Sequence, residues 1–266
     1  MLTALVPMAT EEGGGFKAPT VGEFFPGGLL FVGSPFEMSR INLIGLLMTG
    51  VVSVFFVMAF AKPKLVPSGV QNLGEMAVDL VQKNVIDEAL GEKGKKYAPY
   101  LISMFWLLLA FNITGILPTM HLPVTSVIAI PLMFAVIAWL VFNIQGIRAL
   151  GFWHYLKANL FPPGIPWPIY ILVTPIEFVS TFLLRPLTLT IRLLANMMAG
   201  HLLLVLFFSA TSALLLADGF VKVFAIPSYL MGLAFTLFEI LIAVLQAYIF
   251  TLLTAVYIDS ATSEEH

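Results

Sequence analysis

The sequence predicts an all-α, polytopic membrane protein with about five membrane helices, the last two forming a long tilted hairpin. Three observations predict it. First, 59% of the 266 residues are hydrophobic and only 11% are charged, with a mean hydropathy of +0.98, which is the composition of an integral membrane protein. Second, apolar stretches at 41–61, 97–117, 124–145, 167–217 and 226–257 are each long enough to cross a hydrocarbon core of ~30 Å. Third, the fourth stretch is too long to stand upright, because ~50 helical residues extend ~75 Å.

Composition also excludes whole classes of function. The chain has no cysteine, so disulfides, thiolate metal sites and cysteine nucleophiles are out. No basic patch suggests nucleic acid, and no glycine-rich phosphate loop suggests nucleotide binding. No cofactor or metal is expected. The N-terminus lacks a basic region followed by a long apolar core, so no cleavable signal peptide is expected.

Residues 1–40 form the first of three expected regions, an extramembrane arm rich in Gly, Pro and Phe. Residues 41–166 form the second, with three membrane helices. The first span, 41–61, ends at Lys62-Pro63-Lys64, a basic stop with a helix breaker. Residues 70–90 carry Leu73, Ala77, Leu80 and Val81 at helical spacing with acids and amides between them. They read as an amphipathic helix on the membrane surface, the alternative being a solvated connecting helix. Gly91-Glu-Lys-Gly-Lys-Lys96 is a charged loop.

The second and third spans carry no charge; Asn112 and Asn143 are their strongest polar groups. Asn112 either lines a water path or makes an interhelical hydrogen bond. The connection between these spans, from Pro118 through His121, is very short. Residues 147–166 suit an interfacial re-entry, with Trp153, Tyr155 and Trp167 at headgroup depth.

Residues 167–266 form the third region, the helical hairpin. Pro175 and Pro186 are candidate bends, and two separate spans within 167–217 would be the alternative topology. Six Lys residues lie in the 62–96 loop, and Arg148 and Lys157 lie in the 147–166 loop. The opposite side holds Lys17, Arg40 and Lys222. Five crossings then put the N-terminus outside and the C-terminus in the cytoplasm.

Charge is confined to the last two spans, which hold Glu177, Arg185, Arg192, His201 and Glu239, with Asp259 at the final boundary. An arginine at the centre of a bilayer helix costs at least ~2.5 kcal/mol. It cannot escape by deprotonating, because its pKa stays above ~12. Arg192 has no carboxylate within one helical turn. At ~100° per residue, Arg185, Thr188, Arg192, Asn196 and Ala199 share one small or polar face. His201 points about the opposite way.

Glu239 shares a face with Ala243, Gln246 and Tyr257, and in a hairpin it can meet His201. Such a pair either exchanges a proton near neutral pH or is a static ion pair. An internal salt bridge from Arg192 to Glu239 or Glu177 is the duller reading of Arg192. Glu177 with Ser180, Thr181 and Thr188 either forms a second hydrated path or sits as a headgroup-level charge.

The residues Arg185-Pro, Arg192-Leu, Asn196-Met and Ala199-Gly200-His201 closely resemble the signature of subunit a of F-type ATP synthases. So does Glu239 followed by Gln246-Ala247-Tyr248-Ile249-Phe250, and the tail from Tyr257 to Glu264-Glu265-His266 resembles bacterial members. The resemblance covers about 41–266. It implies a stator subunit of the bacterial plasma membrane, set beside a rotating ring of c subunits and held by peripheral-stalk b subunits.

It further implies that Arg192 separates two offset proton half-channels. Asn196, His201, Glu239 and Gln246 would line the outer one. Glu177, Ser180, Arg185 and Thr188 would lie toward the inner one. Two departures stand out. Many bacterial members carry the carboxylate at the His201 position and the histidine at the Glu239 position; here they are exchanged, as in mitochondrial-type members. Val124-Thr125-Ser126 stand where the family often has an acidic residue. Outside this family, the sequence admits a self-contained proton-coupled transporter, which expects internal repeats, or a structural scaffold.

Overall fold

The computed structural model describes residues 28–30, 38–117, 123–161 and 169–262. Two short strands, β1 (Gly28–Leu30) and β2 (Met38–Ser39), pair antiparallel. Then α1 (Arg40–Phe60) begins, with the Ser39 hydroxyl accepting from the Asn42 N–H at 3.4 Å. This is the N-cap role that serine fills well. The helix stops just before Lys62-Pro63, where a proline would break it.

The surface segment is helical as expected. It comprises α2 (Val70–Val81), a π-helical turn (Gln82–Ile86) and α3 (Asp87–Leu90). Gln71, Gly74, Ala77 and Val81 are buried, whereas Leu73 and Leu80 are exposed. The small face made by Gly74 and Ala77 lets α2 lie close to α1, while Leu73, Met76 and Leu80 remain on the outside.

The second apolar helix, α4 (Ala98–Ile113), is shorter than the expected span. It ties down the surface segment: the Trp106 indole N–H donates to the Ala77 carbonyl at 3.2 Å. The third span starts later than expected, as α5 (Ala129–Leu150), because Val124–Ser126 forms a buried 3-10 turn ahead of it. Asn112 takes the interhelical role. Its amide donates to the Ala243 carbonyl at 3.4 Å and its Oδ1 accepts from the Thr125 hydroxyl at 2.8 Å.

After the turn at Gly151 comes α6 (Phe152–Leu160). Trp153 is exposed on it, and Tyr155 is buried against the protein. Its hydroxyl donates to Asn143 Oδ1 at 3.0 Å, so a phenol that can reach a polar partner turns inward. The expectations for the 118–122 connection, for Trp167 and for the last four residues lie outside the described residues.

The segment from Tyr170 to Leu216 is one helical rod of 47 residues, not two spans. It runs as α7 (Tyr170–Phe178), a π-helical stretch (Val179–Leu184) and α8 (Arg185–Leu216). Pro186 explains the π stretch. It has no N–H to give to the carbonyl four residues back, and the Arg185 N–H reaches the Ser180 carbonyl instead. A tight turn at Gly219, with φ +74°, begins the return. The chain ends in α9 (Ala225–Thr262).

Four described helical stretches are long and apolar enough to cross a membrane, and α4 is a fifth, shorter one. Helix α9 packs against α4, α5 and α8. Phe105, Phe142, Phe250 and Ile258 are fully buried at its contacts with the core.

Candidate functional site

The hairpin of α8 and α9 aligns its residues in an antiparallel register. From the turn inward, the Thr211 hydroxyl donates to Ser228 Oγ at 3.0 Å. Phe207 stacks on Phe235 with centroids 5.1 Å apart. Gly200 faces Glu239, and the Asn196 amide donates to Gln246 Oε1 at 2.9 Å. At the far end, the Arg185 guanidinium lies 5.1 Å from the Tyr257 ring centroid. Each contact steps down one helix as it steps up the other.

This register joins Asn196 to Gln246 and sets Glu239 against Gly200. His201, Glu239 and Gln246 are all buried. The Glu239 carboxyl rests against the α8 backbone: a Cβ added at Gly200 would lie 3.1 Å from Oε1 and 3.2 Å from Cδ. Glycine at 200 is therefore what admits the carboxyl beside the residue preceding His201. Neither Glu239 oxygen has a hydrogen-bond partner among the described residues. Ionisable groups buried inside a membrane helix pair mark proton relays and ion paths.

Arg192 sits on a different side. It is exposed, as are Ile191, Ala195, Asn196 and Ala199 around it, while Leu193 and Met197 are buried. Among the described residues it makes no hydrogen bond, ion pair or ring contact, so the duller reading, an internal salt bridge to Glu239 or Glu177, does not occur. The helix thus carries its fixed cation outward and His201 inward.

The remaining expected residues are less closely joined. Glu177 on α7 and Ser180 in the π-helical stretch are half-buried, and Thr181 is buried. Thr188 is exposed, with its hydroxyl donating to the Leu184 and Arg185 carbonyls at 2.8 and 3.1 Å. No hydrogen bond links the side chains of Glu177, Ser180 and Thr188 to one another. Arg185 is half-buried and lies over aromatic rings. It is also felt by Tyr155: burial pushes that phenol up, against smaller downward pulls from Arg185 and Asn159.

Two residues had no role assigned from sequence. Gly200 was visible only as part of a motif. Tyr257 was placed on a helix face, but its partner emerges only from the antiparallel register.

Comparison with known proteins bears on this geometry. The profile of the family described as ATP synthase A chain matches residues 42–259. The ATP synthase subunit a of Rhodococcus erythropolis (strain PR4 / NBRC 100887) is 47% identical over 266 residues, covering 99% of this chain and 96% of its own. The ATP synthase subunit a of Parafrankia sp. (strain EAN1pec) is 41% identical over 267 residues, covering 99% and 89%. That of Frankia alni (strain DSM 45986 / CECT 9034 / ACN14a) is 39% identical over 269 residues, covering 98% and 91%.

Proposed function

The chain belongs to the ATP synthase A chain family, and we propose that it is the proton-conducting stator subunit of a rotary F-type ATP synthase. Its partners are then the rotor ring of c subunits, the peripheral-stalk b subunits and the rest of the complex. It lies in the bacterial plasma membrane with its N-terminus outside and its C-terminus in the cytoplasm.

The observation that carries this reading is the division of α8 into two sides. Arg192 stands exposed and, among the described residues, unpaired on one side, and His201 is buried on the other, while Glu239 lies against Gly200 and Gln246 accepts from Asn196. An outward guanidinium inside a bilayer calls for an anionic partner on another subunit, and a carboxylate on a rotor helix has that chemistry. The small residues Ala195 and Ala199 beside it allow a second helix to approach closely.

Protons reach the rotor carboxylate along the outer path of His201, Glu239, Gln246 and Asn196. They leave along an inner path of Glu177, Ser180 and Thr188, beside which Arg185 stands as a fixed charge. Arg192 cannot pass a proton on, so it interrupts a continuous wire between the two paths. One charge crossing 100 mV releases ~2.3 kcal/mol. Synthesis must therefore gather several protons without leakage, which a ring of carboxylates facing one fixed cation achieves.

Cysteine cross-linking in the assembled complex tests the facing surface. Ile191→Cys, on the exposed side, is expected to form a disulfide with a cysteine on the rotor helix. Leu193→Cys, on the buried side, is not. Equal cross-linking from both positions, or none from Ile191→Cys, would reject this rotor interface.

A further inference from the structure

The two cations of α8 start on the same side and finish apart. Arg185 and Arg192 are seven residues apart, so at ~100° per residue their side chains leave the helix within ~20° of each other. Arg192 continues outward and is exposed. Arg185 is drawn toward the bundle, with its guanidinium 5.1 Å from the Tyr257 centroid and 6.0 Å from the Phe142 centroid. These rings lie 5.7 Å apart at an angle of 57°, giving the cation two aromatic walls.

One wall belongs to the core: Phe142 is 1% exposed. The other is carried by α9, at the position that the hairpin register sets opposite Arg185. A planar guanidinium is the cation best suited to stacking on aromatic faces, and the attraction strengthens where water is partly excluded.

The separation matters when α8 faces a rotor, as in the stator reading on which this inference rests. A second free guanidinium two turns along would stand ~10 Å from Arg192 along the axis. It would offer the rotor carboxylate a competing resting point. We propose that Tyr257 and Phe142 are positioning residues: they hold the Arg185 guanidinium against the bundle, so that Arg192 alone meets the rotor carboxylate. Tyr257 touches neither the proton nor the rotor; it acts through Arg185.

A double-mutant cycle tests this, read as ATP-driven proton pumping per ATP hydrolysed in inside-out vesicles, with assembly followed by blot. Tyr257→Leu is expected to lower coupled pumping ~5-fold, the factor that one lost cation–π contact is worth. Tyr257→Phe keeps the ring and retains most of the pumping. Arg185→Gln carries its own partial loss, and adding Tyr257→Leu to it costs nothing more.

If Tyr257→Leu costs the same with and without Arg185, the tyrosine is only packing and the proposal falls. Assembly is decisive in the same way. Failure of Tyr257→Leu to assemble in both backgrounds shows a structural role and overturns the proposal. Failure only while Arg185 is present supports it. The stator reading fails on a separate result: an assembled Arg192→Ala complex that pumps normally.

Discussion

The first three apolar helices and the C-terminal hairpin handle polar atoms in opposite ways. In α4 and α5, the buried amides are satisfied, although the Tyr100 hydroxyl and the Trp139 N–H have no hydrogen-bond partner among the described residues. Asn112 bridges to Ala243 and Thr125. Asn143 donates to the Trp139 carbonyl at 2.7 Å and accepts from Tyr155. In α8 and α9 ionisable groups stand beside such satisfied pairs as Asn196–Gln246, and Glu239 is buried without a hydrogen bond among the described residues. Arg192 is left outward and, among the described residues, unpaired. The contrast separates polar atoms that hold helices together from polar atoms kept available for chemistry.

The largest expected effect lies at the buried carboxyl. Glu239→Gln preserves shape but removes the titratable group. The assembled complex should lose ~100-fold or more of its ATP-driven proton pumping, the range set by losing a positioned acid–base group. Pumping near the wild-type rate would move Glu239 into the structural half of the comparison.

Gly200→Leu comes next. Its Cβ alone would stand 3.1 Å from the Glu239 carboxyl oxygen, and the rest of the side chain must push that carboxyl away. Displacing a reacting group by about 1 Å can cost ~100-fold, so pumping should fall ~10-fold or more while Gly200→Ala is milder. Equal pumping in the two variants would show that Glu239 does not depend on this close approach.

Asn112→Leu should do the reverse of Glu239→Gln. It removes two interhelical hydrogen bonds, each worth ~0.6 kcal/mol on average within membranes. Thermal stability of the detergent-solubilised complex should drop, and pumping per assembled complex should not change. If pumping is lost with assembly intact, α4 belongs to the proton path. The smallest effect is expected at Lys83→Ala, because the Lys83–Asp79 pair at 2.6 Å is open to solvent on both sides. Assembly yield and pumping should match wild type, and a clear loss of either would reveal a docking role for α2.

Much of this division was legible in the sequence. Hydropathy alone located the five apolar stretches, because a bilayer demands long uninterrupted runs. The opposite facing of Arg192 and His201 followed from nine residues at ~100° each. What was not legible depended on partners. Leu73 and Leu80 marked an apolar face of α2, but the close approach of Gly74 to α1 emerges only from the packing. The hydrogen bond from Tyr155 to Asn143 likewise emerges only once α6 folds back on α5. Arg185 and Arg192 looked equivalent on a helical wheel. Only the hairpin register, which sets Tyr257 opposite Arg185, distinguishes them.

The central claim is that Arg192 serves the transport cycle and is not a structural counter-ion. The most direct measurement is ATP-driven proton pumping in inside-out vesicles carrying Arg192→Ala beside wild type, with assembly of the complex checked by blot. An assembled complex that no longer pumps is the predicted result. An assembled complex that pumps at a near wild-type rate would contradict the account.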